Sequence, residues 1–413
     1  MKRENARLLR NRNYRLLLEA GLINRFGDSV DALAMTWLMY SVSQSASLTA
    51  LNFGLNFLPT VLFQPFCGAF VGKRDLKRVM VVADLIRAVL IGTVALLATT
   101  GLIQSYMLLI FTFLISTVEA FRVPSQTAVI PLILEQEDYS LGQSLSSSLS
   151  SVVQLIGTAI AGSLIALLGV SAGIWIDTGC FFASALLIGL MRPRRPEGAP
   201  PITGGVWADT MDGLRYLKSD PLLLVICAIA VLINALVVPF SSLEAAMCSE
   251  LFDRGPEVLS VIGVAITLGN ILGGALFSRI EKKAKPNLLM FFCFAGVSLF
   301  YLACVAAGRL REQEAAFNLL ITIVPFLMGI AIAWINIYAS VLMLKHVSEE
   351  YLSRVSAVLG ALCAAGMPVA SFLVSILAGY FSIAAIFTAA ALMTGAAGCL
   401  VARNKALREA ASS

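Results

Sequence analysis

The chain has 413 residues, of which 58% are apolar and only 13% charged, with a formal net charge of +5. Soluble domains carry roughly half apolar and about a quarter charged residues, so this composition excludes an ordinary water-soluble domain and points to a polytopic membrane protein. The basic excess sits at the ends of apolar runs, where it is a topology signal and requires no nucleic acid partner.

A helical span needs about 20 apolar residues. Twelve such runs succeed one another, near 15–42, 46–72, 79–100, 103–123, 141–168, 170–191, 221–244, 255–278, 286–308, 316–344, 350–380 and 383–402. The basic stretch MKRENARLLRNRNYR before the first run is expected to be retained, because the apolar run after it is too long and too acidic for a cleaved signal. The eleventh run is expected to tilt or break at Pro368.

Span 1 contains GLINRFGDSVDALAMTW, with Arg25, Asp28 and Asp31 inside an apolar stretch. At 100° per residue, Gly21, Asn24, Asp28, Asp31 and Met35 form one stripe, with Arg25 about 60° from Asp28. Leu22, Ile23, Phe26, Leu33 and Leu38 occupy the other faces. A helix beginning near Arg15 puts Asp28 roughly 20 Å along its axis, close to the centre of a core about 30 Å thick. A carboxylate there costs about 2.5 kcal/mol or more on insertion scales, so it persists where it is paired, wet or functional. Burial and the neighbouring Asp31 oppose its charge, whereas Arg25 favours it. These opposed influences make Asp28 the expected proton-coupling carboxylate. Asp31 is then its partner or a contact for a cationic substrate, and Arg25 the charge that tunes both. The competing reading is an Arg25–Asp28 pair that only fixes the packing of spans 1 and 5.

Farther along, Asn52 and Asn56 lie one turn apart in span 2, and Gln154, Asn234 and Asn270 are lone polar groups in spans 5, 7 and 8. Each is a candidate cavity-lining residue, and each is equally suited to bonding a neighbouring helix. Trp334, Asn336 and Tyr338 in span 10 form a polar-aromatic cluster of the kind that suits an amphipathic ligand, or an interface anchor. Glu119 and Arg122 at the inner end of span 4 read as a gate pair or a snorkelling pair.

Other chemistry is poorly represented. The eight cysteines have no paired spacing and read as apolar fillers. His346 is the sole histidine, so no His-based zinc centre is available, and no metal or cofactor is expected. CGAFVGKRD fails the phosphate-loop pattern at Cys67 and Arg74, and neither HExxH nor a paired CxxC occurs. An enzyme and a nucleotide-driven pump are thereby disfavoured. Most of the 30 Lys and Arg fall at the N-terminus, the even-to-odd connections and the C-terminus. Arg254, Arg309 and Arg311 fall on the other side, and Arg25 and Arg87 within spans. Both termini are therefore expected in the cytoplasm, in the cell membrane.

The chain also repeats itself. At a shift of 206, GAFVGKRDLKR from Gly68 aligns with GALFSRIEKKA from Gly274, and Asp28 falls opposite Asn234. At a shift of 212, EDYSLG from Glu137 resembles EEYLSR from Glu349. Two six-span halves, 1–191 and 221–413, explain this, joined by a linker at 192–220. In VWADTMDGLRYLKSD the linker places Trp207, Met211, Leu214 and Tyr216 or Leu217 along one side, as in a helix lying on the inner leaflet.

FGDSVDALAMTWLMYSVSQS, LPTVLFQPFCGAF, the basic connection Lys73 to Arg78 followed by Asp84 and Arg87, FRVPSQTAVIPLI, IGTAIAG with IDTGCFFASAL, and HVSEEYLSRVSAV occur in this order. Over essentially the full length this order resembles the major facilitator superfamily, and within it the macrolide-efflux and enterobactin-exporter type of permease. The resemblance implies an all-α fold of twelve transmembrane helices in two pseudo-symmetric bundles. It also implies alternating access around a cavity between the halves. Gating then involves Lys73, Arg74, Asp75, Arg78, Asp84 and Arg87, and Asp177 matches an acid of the family, as an outer gate or a helix-end contact. Two departures stand out. Gly72 replaces the family's acid in the connection after span 2, so its gating role is either shared by Asp75, Asp84 and Arg87 or weaker here. Thr158 replaces the proline of G-P-x-x-x-G between Gly157 and Gly162, a motif that accompanies antiport in related drug exporters.

The resulting expectation is a monomeric, proton-coupled exporter of amphipathic small molecules, surrounded by membrane lipids. A macrolide-like or siderophore-like substrate is implied only by the resemblance. Mostly apolar spans suit a greasy ligand better than a sugar. Import of a small nutrient, flipping of a lysolipid, and a non-transporting sensor or assembly subunit are the alternatives.

Overall fold

A computed structural model of the chain describes residues 7–71, 75–193, 206–281, 286–347 and 349–403. Among the described residues there are helices and turns and no strand. Hydrocarbon supplies no partner for a bare peptide group, so each apolar run closes its own hydrogen bonds as a helix. The spans become α1 Arg12–Ser43, α2 Ala46–Val71, α3 Leu76–Thr99, α4 Ser105–Val129, α5 Tyr139–Leu168 and α6 Val170–Gly189, then α8 Pro221–Ala246, α9 Glu257–Glu281, α10 Pro286–Arg309, α11 Glu314–His346, α12 Glu349–Ala378 and α13 Ile383–Arg403. The linker forms α7 Val206–Ser219. Eleven described helices are long and apolar enough to cross a membrane. The 32-residue α1 is not among them, because the charges within it lower its mean hydropathy. Helix α12 runs through Pro368 without the expected break.

The described chain groups into two compact units, Met1–Gln44 with Leu55–Thr203, and Ser45–Gly54 with Gly204–Ser413. Ser45–Gly54 joins the second unit through α12: Ser47 and Ser375 each donate to the other's backbone carbonyl at 2.7 and 2.8 Å, and Ser371 Oγ donates to Ala50 O at 2.5 Å. In the first unit α3 packs on α4 and α6, and in the second α10 packs on α11 and α13. Spans 3, 4 and 6, and spans 9, 10 and 12, thus have the same packing partners within their own units.

The start of α1 is fixed by a short polar motif. Asn11 caps the helix by accepting from the backbone N–H groups of Asn13 and Tyr14. Its Nδ2 donates to Ile133 O at 2.7 Å, Tyr14 OH donates to Gly142 O at 2.7 Å, and Asn13 exchanges two 2.8 Å bonds with the backbone of Arg192. Arg7 pairs with Asp138 alongside. Leu8, Leu17, Ile133, Leu134 and Met191 are buried beneath this clasp, which holds the ends of α1, α4, α5 and α6 together.

The linker forms the expected helix. It packs against α12 and α8 of its own unit, with Leu217 buried, so protein as well as lipid is available to its apolar side.

In the second unit, glycines allow α9 and α11 to touch backbone to backbone. A Cβ on Gly269 would lie 1.9 Å from Phe326 O, and one on Gly329 would lie 2.1 Å from Ile266 O. Small residues serve membrane helices in this way because dispersion, not water, drives their association. Helix α8 carries Pro239, and beside it the buried Tyr301 enters the backbone ladder: Phe240 N donates to Tyr301 OH at 3.3 Å, and that hydroxyl donates to Leu236 O at 2.7 Å. The helix then widens into a π-helical turn, Met247–Phe252.

Gly329→Ala forces α9 and α11 apart, at a cost of about 1–3 kcal/mol. A lowered thermal midpoint in detergent is expected, with Gly360→Ala, where an added Cβ meets nothing within 4 Å, as the unaffected control.

Candidate functional site

Spans 1, 3, 4 and 6 of the first unit each carry ionisable groups at depths where water is scarce. Asp84 and Arg87 on α3, like Glu119 and Arg122 on α4, are three residues apart, which puts each acid and base on one helix face. The structure pairs them across helices instead. Arg87 Nη2 lies 3.2 Å from Asp28 Oδ1 of α1 and 3.7 Å from Glu119 Oε2 of α4. Its guanidinium carbon stands 4.1 Å from the centre of the Phe181 ring on α6, a cation–π contact. Arg122 Nε lies 2.5 Å from Asp84 Oδ1, and its Nη1 donates to Gln126 Oε1 at 2.6 Å. Ser184 Oγ of α6 donates to the second oxygen of Asp84 at 2.6 Å.

The two pairs differ in surroundings. Asp84 and Arg122 are buried, and the three hydrogen bonds on them satisfy much of their capacity. Asp28 and Glu119, in contrast, keep 37% and 40% of their side chains exposed, so the Arg87 node has an open edge. Asp31 has one oxygen without a hydrogen-bond partner among the described residues. Asp177 is 1% exposed, and neither of its oxygens has a described partner. It packs onto α1 at Gly27, where a Cβ would lie 2.2 Å from its Oδ1. Asp177 therefore sits within electrostatic reach of Asp31, Asp28 and Arg87, as a member of one cluster.

Several expectations change. Arg25 does not pair with Asp28: its Nη2 donates to Gln154 Oε1 at 2.9 Å, which joins α1 to α5 and occupies Gln154 as well. The reason is rotation about the helix axis, since Arg87 reaches Asp28 from the neighbouring α3. Glu119 and Arg122 do not form a pair, each being engaged by α3. Asp75 caps α3 and binds Arg78 Nε at 3.3 Å, a local contact at the helix start. Lys73 and Arg74 lie outside the described residues.

Among the candidate ligand contacts, Asn56 accepts from Ser116 Oγ at 2.6 Å, Asn234 donates to Ala230 O of its own helix at 2.8 Å, and Trp334 Nε1 donates to Gly273 O at 2.9 Å. Asn56 and Trp334 thus join neighbouring helices, while Asn234 bonds within its own. Asn24 is buried with both side-chain polar atoms lacking a described partner, and Asn52 has an unpartnered oxygen. Asn270 and Asn336 are exposed, whereas Tyr338 is buried. Sequence reading missed Gly27, Gln126, Phe181 and Ser184. Only Gly27, a residue without a side chain beside an intramembrane acid, carried a local signal.

Residues 17–310 match the family model described as Major Facilitator Superfamily. Macrolide efflux protein A of Streptococcus pyogenes is 24% identical over 349 residues, covering 84% of this chain and 85% of that protein. Multidrug efflux pump Tap of Mycolicibacterium fortuitum is 25% identical over 390 residues, covering 91% of this chain and 92% of that one. The crystal structure of nucleoside transporter NupG aligns with a TM-score of 0.76 at 12% identity, over 95% of this chain and 100% of that chain, a likeness of fold alone.

Arg122→Leu leaves Asp84 buried without its cation, at a cost of about 3–5 kcal/mol, whereas replacing both partners by Leu removes the uncompensated charge. Unfolding in detergent is expected to show the double variant more stable than the single one.

Proposed function

Because the chain belongs to the major facilitator superfamily and is a membrane transporter, not an enzyme, we propose that it exports amphipathic small molecules by alternating access, driven by protons. The observation that carries this reading is the charge imbalance of the first unit: among the described residues, the five acids Asp28, Asp31, Asp84, Glu119 and Asp177 face three cations, Arg25, Arg87 and Arg122. Carboxyls in excess of cations inside a membrane either bind protons or contact water. Here Asp28 and Glu119 compete for one guanidinium at the open edge. A proton added to Asp28 weakens its hold on Arg87 and leaves that cation to Glu119. The reverse transfer restores the first pair, so proton binding is converted into a switch between α1–α3 and α3–α4 contacts. Asp31 is the second titrating group on α1, and Asp177 holds the field behind them. Arg122, Asp84 and Ser184 form the fixed wall against which Arg87 changes partner.

Export, and an amphipathic substrate, are supported by the names of the efflux relatives and by the apolar character of the spans. Asn24 in the first unit, buried with both side-chain polar atoms lacking a described partner, is the proposed polar contact for substrate. The termini are placed in the cytoplasm on the distribution of Lys and Arg.

Asp28→Asn keeps the shape of the side chain and removes the titration. In inside-out vesicles with an acidic lumen, accumulation of a macrolide or a cationic dye is expected to fall to the level of the gradient-free control, while binding to purified protein persists. Accumulation that still tracks the pH gradient removes Asp28 from the coupling step. A deletion strain with unchanged tolerance to a broad panel of amphipathic antibiotics would redirect the reading to nutrient import or lipid flipping.

A further inference from the structure

A cavity lies between α3 and α4. It has a volume of about 520 Å³ and is lined by Asp75, Arg78, Val79, Val82, Ala83 and Ile86 along α3, faced by Thr117, Val118 and Phe121 of α4. The α3 residues recur at three- and four-residue spacing, so they form one continuous face. From Asp75 to Ile86 that face is roughly 16 Å long, close to half of a hydrocarbon core of about 30 Å. The groove therefore has the depth of a single leaflet. Its charged residues are confined to one end, and beyond them the walls are apolar apart from Thr117. Val82 and Ile86 are 53% and 42% exposed, so the groove opens sideways, where a membrane-spanning chain meets lipid.

The charged end is prepared for an anion. Asp75 binds Arg78 through Nε at 3.3 Å, which orients the guanidinium and leaves its two terminal nitrogens without a described partner. The Arg78 side chain is 85% exposed, and Lys77 precedes it, so the end of α3 has a net positive charge despite Asp75. Terminal guanidinium nitrogens match two phosphate oxygens, and basic recesses between transmembrane helices take anionic lipid headgroups.

We propose that this groove is a binding site for one anionic phospholipid, with the phosphate on Arg78 and one acyl chain laid between α3 and α4. Ala83, which lines it, is followed in sequence by Asp84, so the bound chain would back the helix segment that carries the buried Asp84–Arg122 pair. The inference rests on the groove alone and is independent of proton coupling.

The test uses the delipidated full chain in detergent, titrated with phosphatidylglycerol or phosphatidylcholine and read by native mass spectrometry. The wild type is expected to retain phosphatidylglycerol about fivefold better than phosphatidylcholine, a difference of the size one basic residue confers at an anionic surface. Arg78→Ala should abolish that preference and Arg78→Lys should keep most of it. Val82→Trp, which fills the open side of the groove, should weaken phosphatidylglycerol binding with Arg78 intact. Equal retention of the two lipids by the wild type, a preference that survives Arg78→Ala, or unaltered binding by Val82→Trp would each overturn the proposal.

Discussion

An ion in hydrocarbon must find a counter-ion or water, and this requirement organises the first unit. Arg87 cannot be buried on α3 without acids reaching it, so α1 supplies Asp28 and α4 supplies Glu119, while the Phe181 ring of α6 covers its face. Arg122 draws Asp84 in the same way, and Asp84 in turn draws Ser184 from α6. The relative rotations of four helices are thereby tied to two guanidinium groups. The cluster is a packing device and a reservoir of titratable charge at once, because any change in protonation alters which helices are held together.

The second unit solves the same packing problem differently. Its described residues show no ion pair between spans comparable with these, and α9 and α11 meet through Gly269, Gly273 and Gly329. Close backbone contact of this kind depends on shape and carries no protonation state. The two units thus differ in what makes them cohere. Where α1 has Asp28, the repeat-related position on α8 has Asn234, whose amide turns back onto its own helix.

Much of the architecture is legible in the chain, because a bilayer demands apolar runs of nearly fixed length and these leave few alternatives. The presence of a charged cluster is legible for the same reason, since Asp28, Asp31, Arg87 and Asp177 interrupt runs that would otherwise be apolar. The partners are not. Arg25 is three residues from Asp28 yet bonds to Gln154, while Arg87, 59 positions away, makes the contact. Rotation about each helix axis decides this, and local spacing cannot supply it. Ser184 illustrates the limit, for a serine in an apolar helix has no feature that announces a carboxylate 100 positions earlier. Trp334 and Asn56 show the converse: polar atoms expected at a ligand are consumed by neighbouring helices.

The clasp at the start of α1 has an asymmetric consequence for how the sequence can drift. Asn11, Asn13 and Tyr14 act through their side chains, whereas the groups they grip at Ile133, Gly142 and Arg192 are main chain, present whatever residue stands there. Mutational tolerance should therefore be one-sided, narrow at Asn11, Asn13 and Tyr14 for their polar groups, while at Ile133 and Arg192 the clasp itself asks nothing of the side chain, although burial still keeps Ile133 apolar. Gly142 is the exception, since a methyl group there would strike Leu134 at 2.8 Å.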